Sequence, residues 1–175
     1  MTILETERLL MRRLVASDLD DLYALYRDPE IRRHFPEGTL SLDETREELE
    51  WFLNGHPDHP ELGLWATLHK PTGAFIGRCG LLPWEIEGRT EVEVAYLLGK
   101  AYWGRGLATE AARAIIEHAF ATQPVDRLIC MTDPGNGASR NVAVTLGMTT
   151  LWADYVDEMG PAHVYALTRP PPPVG

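Results

Sequence analysis

Three stretches of this chain carry side chains whose types and spacing suit phosphate binding and proton transfer. The first is Tyr102-Trp103-Gly104-Arg105-Gly106-Leu107-Ala108-Thr109-Glu110. After it Leu107, Ala111, Ala114, Ile115 and Ala119 recur at helical spacing, with Glu110, Arg113 and Glu117 on the opposite side. No Ser, Thr, Asp or Asn stands where that helix needs a cap. The first amides of a helix lack internal partners, so an entrance built from Gly104-Arg105-Gly106 leaves them facing outward, backed by the positive end of the helix dipole. Such an entrance suits a phosphate. The second stretch is Thr90 to Leu98, whose alternation puts Val92, Val94 and Tyr96 on one strand face and Glu91, Glu93 and Ala95 on the other. Two carboxylates on one face can serve acid–base chemistry, Glu91 raising the pKa of Glu93 by repulsion; they can equally be solvated strand residues. The third is Asn136-Gly137-Ala138-Ser139, which offers an amide and a hydroxyl at the start of a helix.

Other reactive residues carry less. Cys79 and Cys130 lie far apart with no Cys-x-x-Cys spacing, so two free thiols are expected and no disulfide or zinc site. Cys130 reads as a small core residue, since no histidine with a geometric role accompanies it. His56 and His59 fall in a proline-rich loop without a third ligand, and no metal is expected.

Elements must position these groups. A strand over Arg8 to Leu14 leads to Ser17-Asp18, where Ser17 is the expected cap of a helix carrying Leu19, Leu22, Tyr23 and Tyr26. Ser41-Leu42-Asp43-Glu44 is a capping box for a second helix, ending near Gly55. Leu64 to His69 and Ala74 to Leu82 flank the turn Lys70-Pro71-Thr72-Gly73 and predict a hairpin. Arg127 to Thr132 is a short strand, a helix runs from Gly137 to Leu146, and Leu151 to Val156 with His163 to Thr168 form a last hairpin. Residues 1–169 are expected to form one domain, with 170–175 a flexible proline-rich tail.

Composition narrows the partners. The 16 Lys plus Arg against 26 Asp plus Glu give −10, which disfavours nucleic acid and leaves room for a cationic substrate. Nowhere do the roughly 18 consecutive apolar residues of a spanning helix occur, and the charged start does not resemble a signal peptide, so a cytoplasmic protein without membrane contact is expected. A Walker loop is excluded because no lysine follows the glycines. A dinucleotide fingerprint is weak, because the preceding strands read as antiparallel hairpins.

Glu93-Val94-Ala95-Tyr96, then Trp103-Gly104-Arg105-Gly106-Leu107-Ala108-Thr109-Glu110-Ala111, then Asn136-Gly137-Ala138-Ser139 and Leu146-Gly147-Met148, resemble in order and spacing the GCN5-related N-acetyltransferases (GNAT). Thr6-Glu7-Arg8-Leu9-Leu10-Met11-Arg12 with Ser17-Asp18 is similar to the opening of the RimJ/RimL-like branch, which acetylates ribosomal-protein N-termini. The resemblance runs from about Thr6 to about Thr168. It implies an α/β fold of that family, a mostly antiparallel twisted sheet of about six to seven strands with one parallel pair splayed around acetyl-CoA. It implies cofactor contacts from Tyr96, Leu97, Leu98, Trp103, Gly104, Arg105, Gly106, Leu107, Ala108, Thr109, Asn136, Ser139 and Arg140. Acetyl transfer to a primary amine follows, with Glu93 and Ser139 as the catalytic candidates. Asn136 is either a helix cap or a contact to the pantetheine arm.

Two departures stand out. Trp103 occupies the first position of a phosphate loop that usually begins with Gln or Arg, and Ala143 stands where many relatives place the tyrosine that protonates the departing thiolate. Tyr96 and Tyr165 are reserve donors. The rival is an acetyl-CoA-binding sensor without turnover. The acceptor is expected to be a cationic amine drawn to Glu85, Glu91 and Glu93, and a homodimer is left open.

Overall fold

The computed structural model describes residues 1–171, so most of the expected tail falls outside the described residues. One mixed sheet of eight strands runs through the molecule: β1 (Thr2–Glu5), β2 (Leu9–Arg13), β3 (Gly63–His69), β4 (Ala74–Ile86), β5 (Arg89–Leu98), β6 (Arg127–Thr132), β7 (Thr149–Asp157) and β8 (Gly160–Thr168). Their spatial order is β1-β2-β3-β4-β5-β6-β8-β7, antiparallel throughout except between β5 and β6. The strand count exceeds the expected six to seven because Thr2–Glu5 adds an edge strand, too short for its alternation to be legible.

Four helices cover the sheet: α1 (Leu19–Tyr26), α2 (Leu42–Phe52), α3 (Leu107–Thr122) and α4 (Gly137–Thr145). On one face Val92, Val94 and Leu98 pack against Leu107, Ala111 and Ile115 of α3, the stripe read from the sequence. On the other, Ala95 and Leu97 pack with Leu22 and Tyr26 of α1 and Leu49 and Phe52 of α2. The strand β5 is therefore covered on both sides.

The capping box of α2 forms as expected: Ser41 Oγ accepts from Glu44 N at 3.2 Å and Glu44 returns a bond to Ser41 N. Ser17 does not cap α1. Asp18 takes the equivalent work upstream, accepting from Val15 N at 2.8 Å while Arg12 holds its carboxylate at 2.7 Å. A carboxylate bonded to both an amide and a guanidinium outcompetes a neutral hydroxyl.

The parallel pair positions the site. Along β4 the strand β5 is registered from Arg89 to Leu98, whereas toward β6 the registered pair is Glu93 with Ile129. Beyond that pair the two strands diverge. The amide of Met131, two residues further along β6, donates to the Glu93 carboxylate at 3.3 Å. A carboxylate inserted between the strands takes the donor that a continued ladder would use, and it opens the sheet there.

Candidate active site

On the α3 side the chain approaches the gap through the glycine entrance. Gly104 and Gly106 have φ of 69° and 75°, a left-handed backbone that L side chains rarely adopt. Gly106 is the N-cap of α3, and no side chain caps this end. The first helical bond is Glu110 N to Gly106 O at 3.0 Å, so the amides of Leu107, Ala108 and Thr109 precede it. The entrance is held from outside. Glu110 accepts from Thr6 Oγ1 at 2.5 Å, from Arg8 N at 2.9 Å and from Arg8 Nε at 2.6 Å, and Arg8 Nη1 reaches the carbonyl of Arg105 at 2.9 Å.

These contacts matter electrostatically. A carboxylate in the first turn would repel an incoming anion, but Arg8 pairs with that of Glu110, whose pKa lies below the usual carboxylate range. Arg105 is exposed, its guanidinium 5.3 Å from the Tyr102 ring centre, and remains free to meet an anion. An open groove of about 440 Å³ runs past Thr6, Gly106, Thr109, Glu110 and Arg113. Trp103 anchors the loop to the end of β5, its indole N–H donating to Leu98 O at 2.8 Å. Leu97 and Leu98 are buried, so what they can offer a ligand is backbone.

Tyr96, on the same face, reaches α4. Its hydroxyl lies 3.0 Å from Ser139 Oγ, donates to Ser139 O at 3.1 Å and sits 3.5 Å from Cys130 Sγ. Asn136 caps α4, accepting from Ser139 N at 3.1 Å, which commits its side-chain oxygen to the helix end. Arg140 is exposed on the next position of α4. Ala143 is buried in a cluster with Cys130, Met148 and Tyr165 against which Tyr96 packs. The phenol near the gap thus comes from the strand. Burial, then the neighbouring Cys130, raises the Tyr96 pKa, so the phenol stays protonated. Burial also pushes the Cys130 thiol up to about 12, which removes it as a nucleophile at neutral pH.

The opposite face carries the carboxylates, neither of them solvated. Glu91 is 2 % exposed and is engaged by Arg127, with Nε at 3.1 Å, and by Arg89 at 3.3 Å. Glu93 is 9 % exposed and accepts from Trp84 Nε1 at 2.7 Å. Its pKa is raised to about 7 by burial, against which the bonds from Trp84 and Met131 and the charge of Arg78 pull it down. Repulsion by Glu91 plays no part, because two guanidinium groups pair with its charge. The expected acidic cleft is not assembled either: Glu91 is paired, and Glu85 bonds Thr90 near the hairpin tip. Neither Trp84 nor Arg78 carried a sequence signal for its neighbourhood with Glu93.

At the gap, then, a carboxylate poised near neutrality lies on one side of β5 and a paired phenol and serine hydroxyl on the other. The arrangement can accept a proton on one face and donate one on the other.

The Acetyltransferase (GNAT) domain model matches residues 8–149. The uncharacterised protein YkkB of Bacillus subtilis is 34 % identical over 148 residues, 84 % of this chain and 85 % of that one. Among solved structures, a GNAT-family acetyltransferase of Bacillus anthracis superposes with a TM-score of 0.79 at 21 % identity, covering 97 % of this chain and 99 % of that one. RimL, a ribosomal L7/L12 α-N-protein acetyltransferase solved in complex with coenzyme A, superposes with a TM-score of 0.78 at 17 % identity, covering 96 % and 98 %. Among the described residues no helix is long and apolar enough to cross a membrane.

Proposed function

The chain belongs to the GNAT acetyltransferase family, and from that premise we propose that residues 1–169 form one catalytic domain that transfers acetyl from acetyl-CoA directly to a primary amine. The observation that carries this reading is Glu93: a buried carboxylate with its pKa raised to about 7, at the point where β5 and β6 part. Acetyl-CoA supplies an activated thioester acyl group. The glycine entrance fits its pyrophosphate, because the amides of Leu107, Ala108 and Thr109 have no side-chain cap and Arg105 adds charge beside them.

Glu93 takes the proton from the acceptor ammonium, directly or through one water. An amine with a pKa of about 8 to 10 is mostly charged at pH 7, and a carboxylate near 7 is partly ionised there while being a stronger base than an ordinary one. On the other face Ser139 Oγ, 3.0 Å from the Tyr96 hydroxyl, passes a proton to the thiolate sulfur as the carbon–sulfur bond breaks, and the proton that the attacking nitrogen sheds on becoming an amide returns to the pair, so neither hydroxyl is left ionised. This pair answers the missing tyrosine at Ala143. Cys130 forms no acyl intermediate, since its raised pKa keeps it a thiol.

Thiol release from acetyl-CoA over a panel of amines tests the reading. Turnover with at least one amine is expected. Tight acetyl-CoA binding with no amine accelerating thiol release would instead mark a cofactor sensor.

A further inference from the structure

The face that carries Glu93 also holds a charge whose hydrogen-bonding capacity the proposed chemistry at Glu93 leaves unused. Arg78 of β4 is 5 % exposed, yet no carboxylate among the described residues lies within the 4 Å of an ion pair. Its Nε donates to Tyr26 Oη at 2.9 Å, and its two terminal nitrogens bond to no described residue. A second guanidinium, Arg32 from the segment between α1 and α2, is 3 % exposed beside it. Arg32 stacks on Phe35 at 4.2 Å and on Tyr26 at 5.1 Å, and Arg78 lies 5.6 Å and 5.7 Å from the same two rings.

Few anions answer these two cations. Glu48 is bonded to Tyr26 Oη, and Glu37 touches Arg32 Nη2 at 3.4 Å from a largely exposed position. Arg32 also donates to Gly38 O at 2.7 Å, whereas the fork of Arg78 is left open. Burial works against both charges, and the mutual repulsion lowers the pKa of Arg32, while Tyr26 and Glu48 hold Arg78 charged. Thr67 Oγ1 is the only buried side-chain polar atom without a partner among the described residues, so the unbonded fork of Arg78 reaches solvent, where an anion can meet it bidentately.

Register places this fork on the sheet face that carries Glu93. Arg78 lies opposite Leu97, Gly80 opposite Ala95 and Leu82 opposite Glu93, so alternate residues 78, 80, 82 and 97, 95, 93 share that face. Between the fork and the carboxylate the sheet carries Gly80, whose side-chain position is closed by the Gly63 carbonyl, and Ala95, which is 8 % exposed. The segment above them, which carries Arg32 and Phe35, is tied across the gap by His34 Nδ1 to Asp133 at 3.2 Å.

We propose that the acceptor is an amine that also carries an anionic group, a carboxylate or a phosphate, held by the Arg78 fork with Arg32 beside it while Glu93 receives the amine. This rests on the acetyltransferase reading and narrows its substrate class. It narrows the cationic amine expected from net charge to one that also carries an anion: the surface is acidic, but the acceptor face presents a buried positive pole and a carboxylate that binds only the amine end. Guanidinium binds both anions through two parallel N–H donors, so ligand pairs are needed to tell them apart.

The test compares matched probes on the wild-type enzyme saturated with coenzyme A, by calorimetry: phenylalanine against phenylalaninamide, and phosphoethanolamine against ethanolamine. Tighter binding of an anionic member by at least about tenfold is expected, equivalent to about 1.4 kcal/mol, and the pair that shows it identifies the anion. Arg78→Gln should abolish the difference by weakening the anionic member alone, and Arg78→Lys should restore it in part. If Arg78 only supports Tyr26, the variant lowers thermal stability and binds both members of a pair equally less well. Equal binding of both members, or no anionic member binding at millimolar concentration, overturns the inference. The acetyltransferase reading then still stands wherever neutral amines release thiol from acetyl-CoA, and it falls separately if no amine does.

Discussion

The two faces of β5 solve opposite electrostatic problems with different materials. On the reading proposed above, the α3 and α4 face meets its ligand with backbone amides and neutral hydroxyls, Leu107 to Thr109 and the Tyr96–Ser139 pair, and Glu110 in the first turn of α3 is paired with Arg8. The α1 and α2 face uses buried formal charge: Glu93, Glu91, Arg78 and Arg32 are all at most 9 % exposed. Amides at a helix end cannot change protonation, so they bind an anion equally well over a wide pH range. Buried ionisable groups are tuned by desolvation and therefore respond to pH. Cofactor binding and acceptor chemistry in this protein can consequently be disturbed independently.

The largest loss is expected at Glu93. Glu93→Gln should lower kcat/KM about 10²–10⁴-fold at neutral pH, with acetyl-CoA affinity little changed. In the wild type kcat/KM should rise through pH 7, where Glu93 loses its proton, and this inflection should vanish in the variant. An undiminished inflection in Glu93→Gln would assign the titration elsewhere.

On the other face, Tyr96→Phe and Ser139→Ala should each lower kcat about 10- to 100-fold, and the double variant should lose little more, as for groups acting in one relay. Additive losses would separate the two hydroxyls into independent roles. Gly106→Val should weaken coenzyme A binding about 10- to 100-fold by calorimetry, because a β-branched residue at φ of 75° is strained by about 1–3 kcal/mol and the entrance must rearrange. That loss should be independent of pH between 6 and 9, unlike the effect of any change at Glu93.

Stability gives a smaller contrast. The folded Glu93 binds its proton more tightly than the unfolded chain does, so its neutral form favours folding below the ordinary pKa of 4.5 and that contribution is lost as pH rises toward 7. Thermal denaturation of wild type and Glu93→Gln across pH 4 to 8 should diverge in that window by up to about 3 kcal/mol. The smallest effect is expected at Glu91→Gln. Burial and not Glu91 sets the Glu93 pKa, so the kinetic inflection should stay in place; a downward move would restore repulsion between the two carboxylates.

Much of this architecture is legible along the chain. Leu107, Ala111 and Ile115 at helical spacing identify α3 and its buried side, Ser41 with Glu44 identifies the start of α2, and the Lys70-Pro71-Thr72-Gly73 turn identifies the β3–β4 hairpin, because those signals are local and periodic. The uncapped entrance at Gly104 and Gly106 is equally local. Ser17 misleads because its rival, Asp18, is decided by Arg12 from the preceding strand.

Order along the chain was enough to define most of the elements, β1 and the start of α1 apart, since alternation and capping depend on neighbours a few positions apart, and the resemblance of its motifs singled out Glu93 and Ser139. The chemical state of those candidates came from packing. Burial raised the Glu93 pKa to about 7 against the opposing pull of Trp84, Met131 and Arg78, residues 9, 38 and 15 positions away. Tyr96 became Ser139's partner across 43 positions, and Arg78 and Arg32 were brought over the same aromatic rings by the closure of α1 and α2 onto the sheet. Desolvation and charge pairing are properties of what surrounds a group in space, and no run of adjacent residues encodes them.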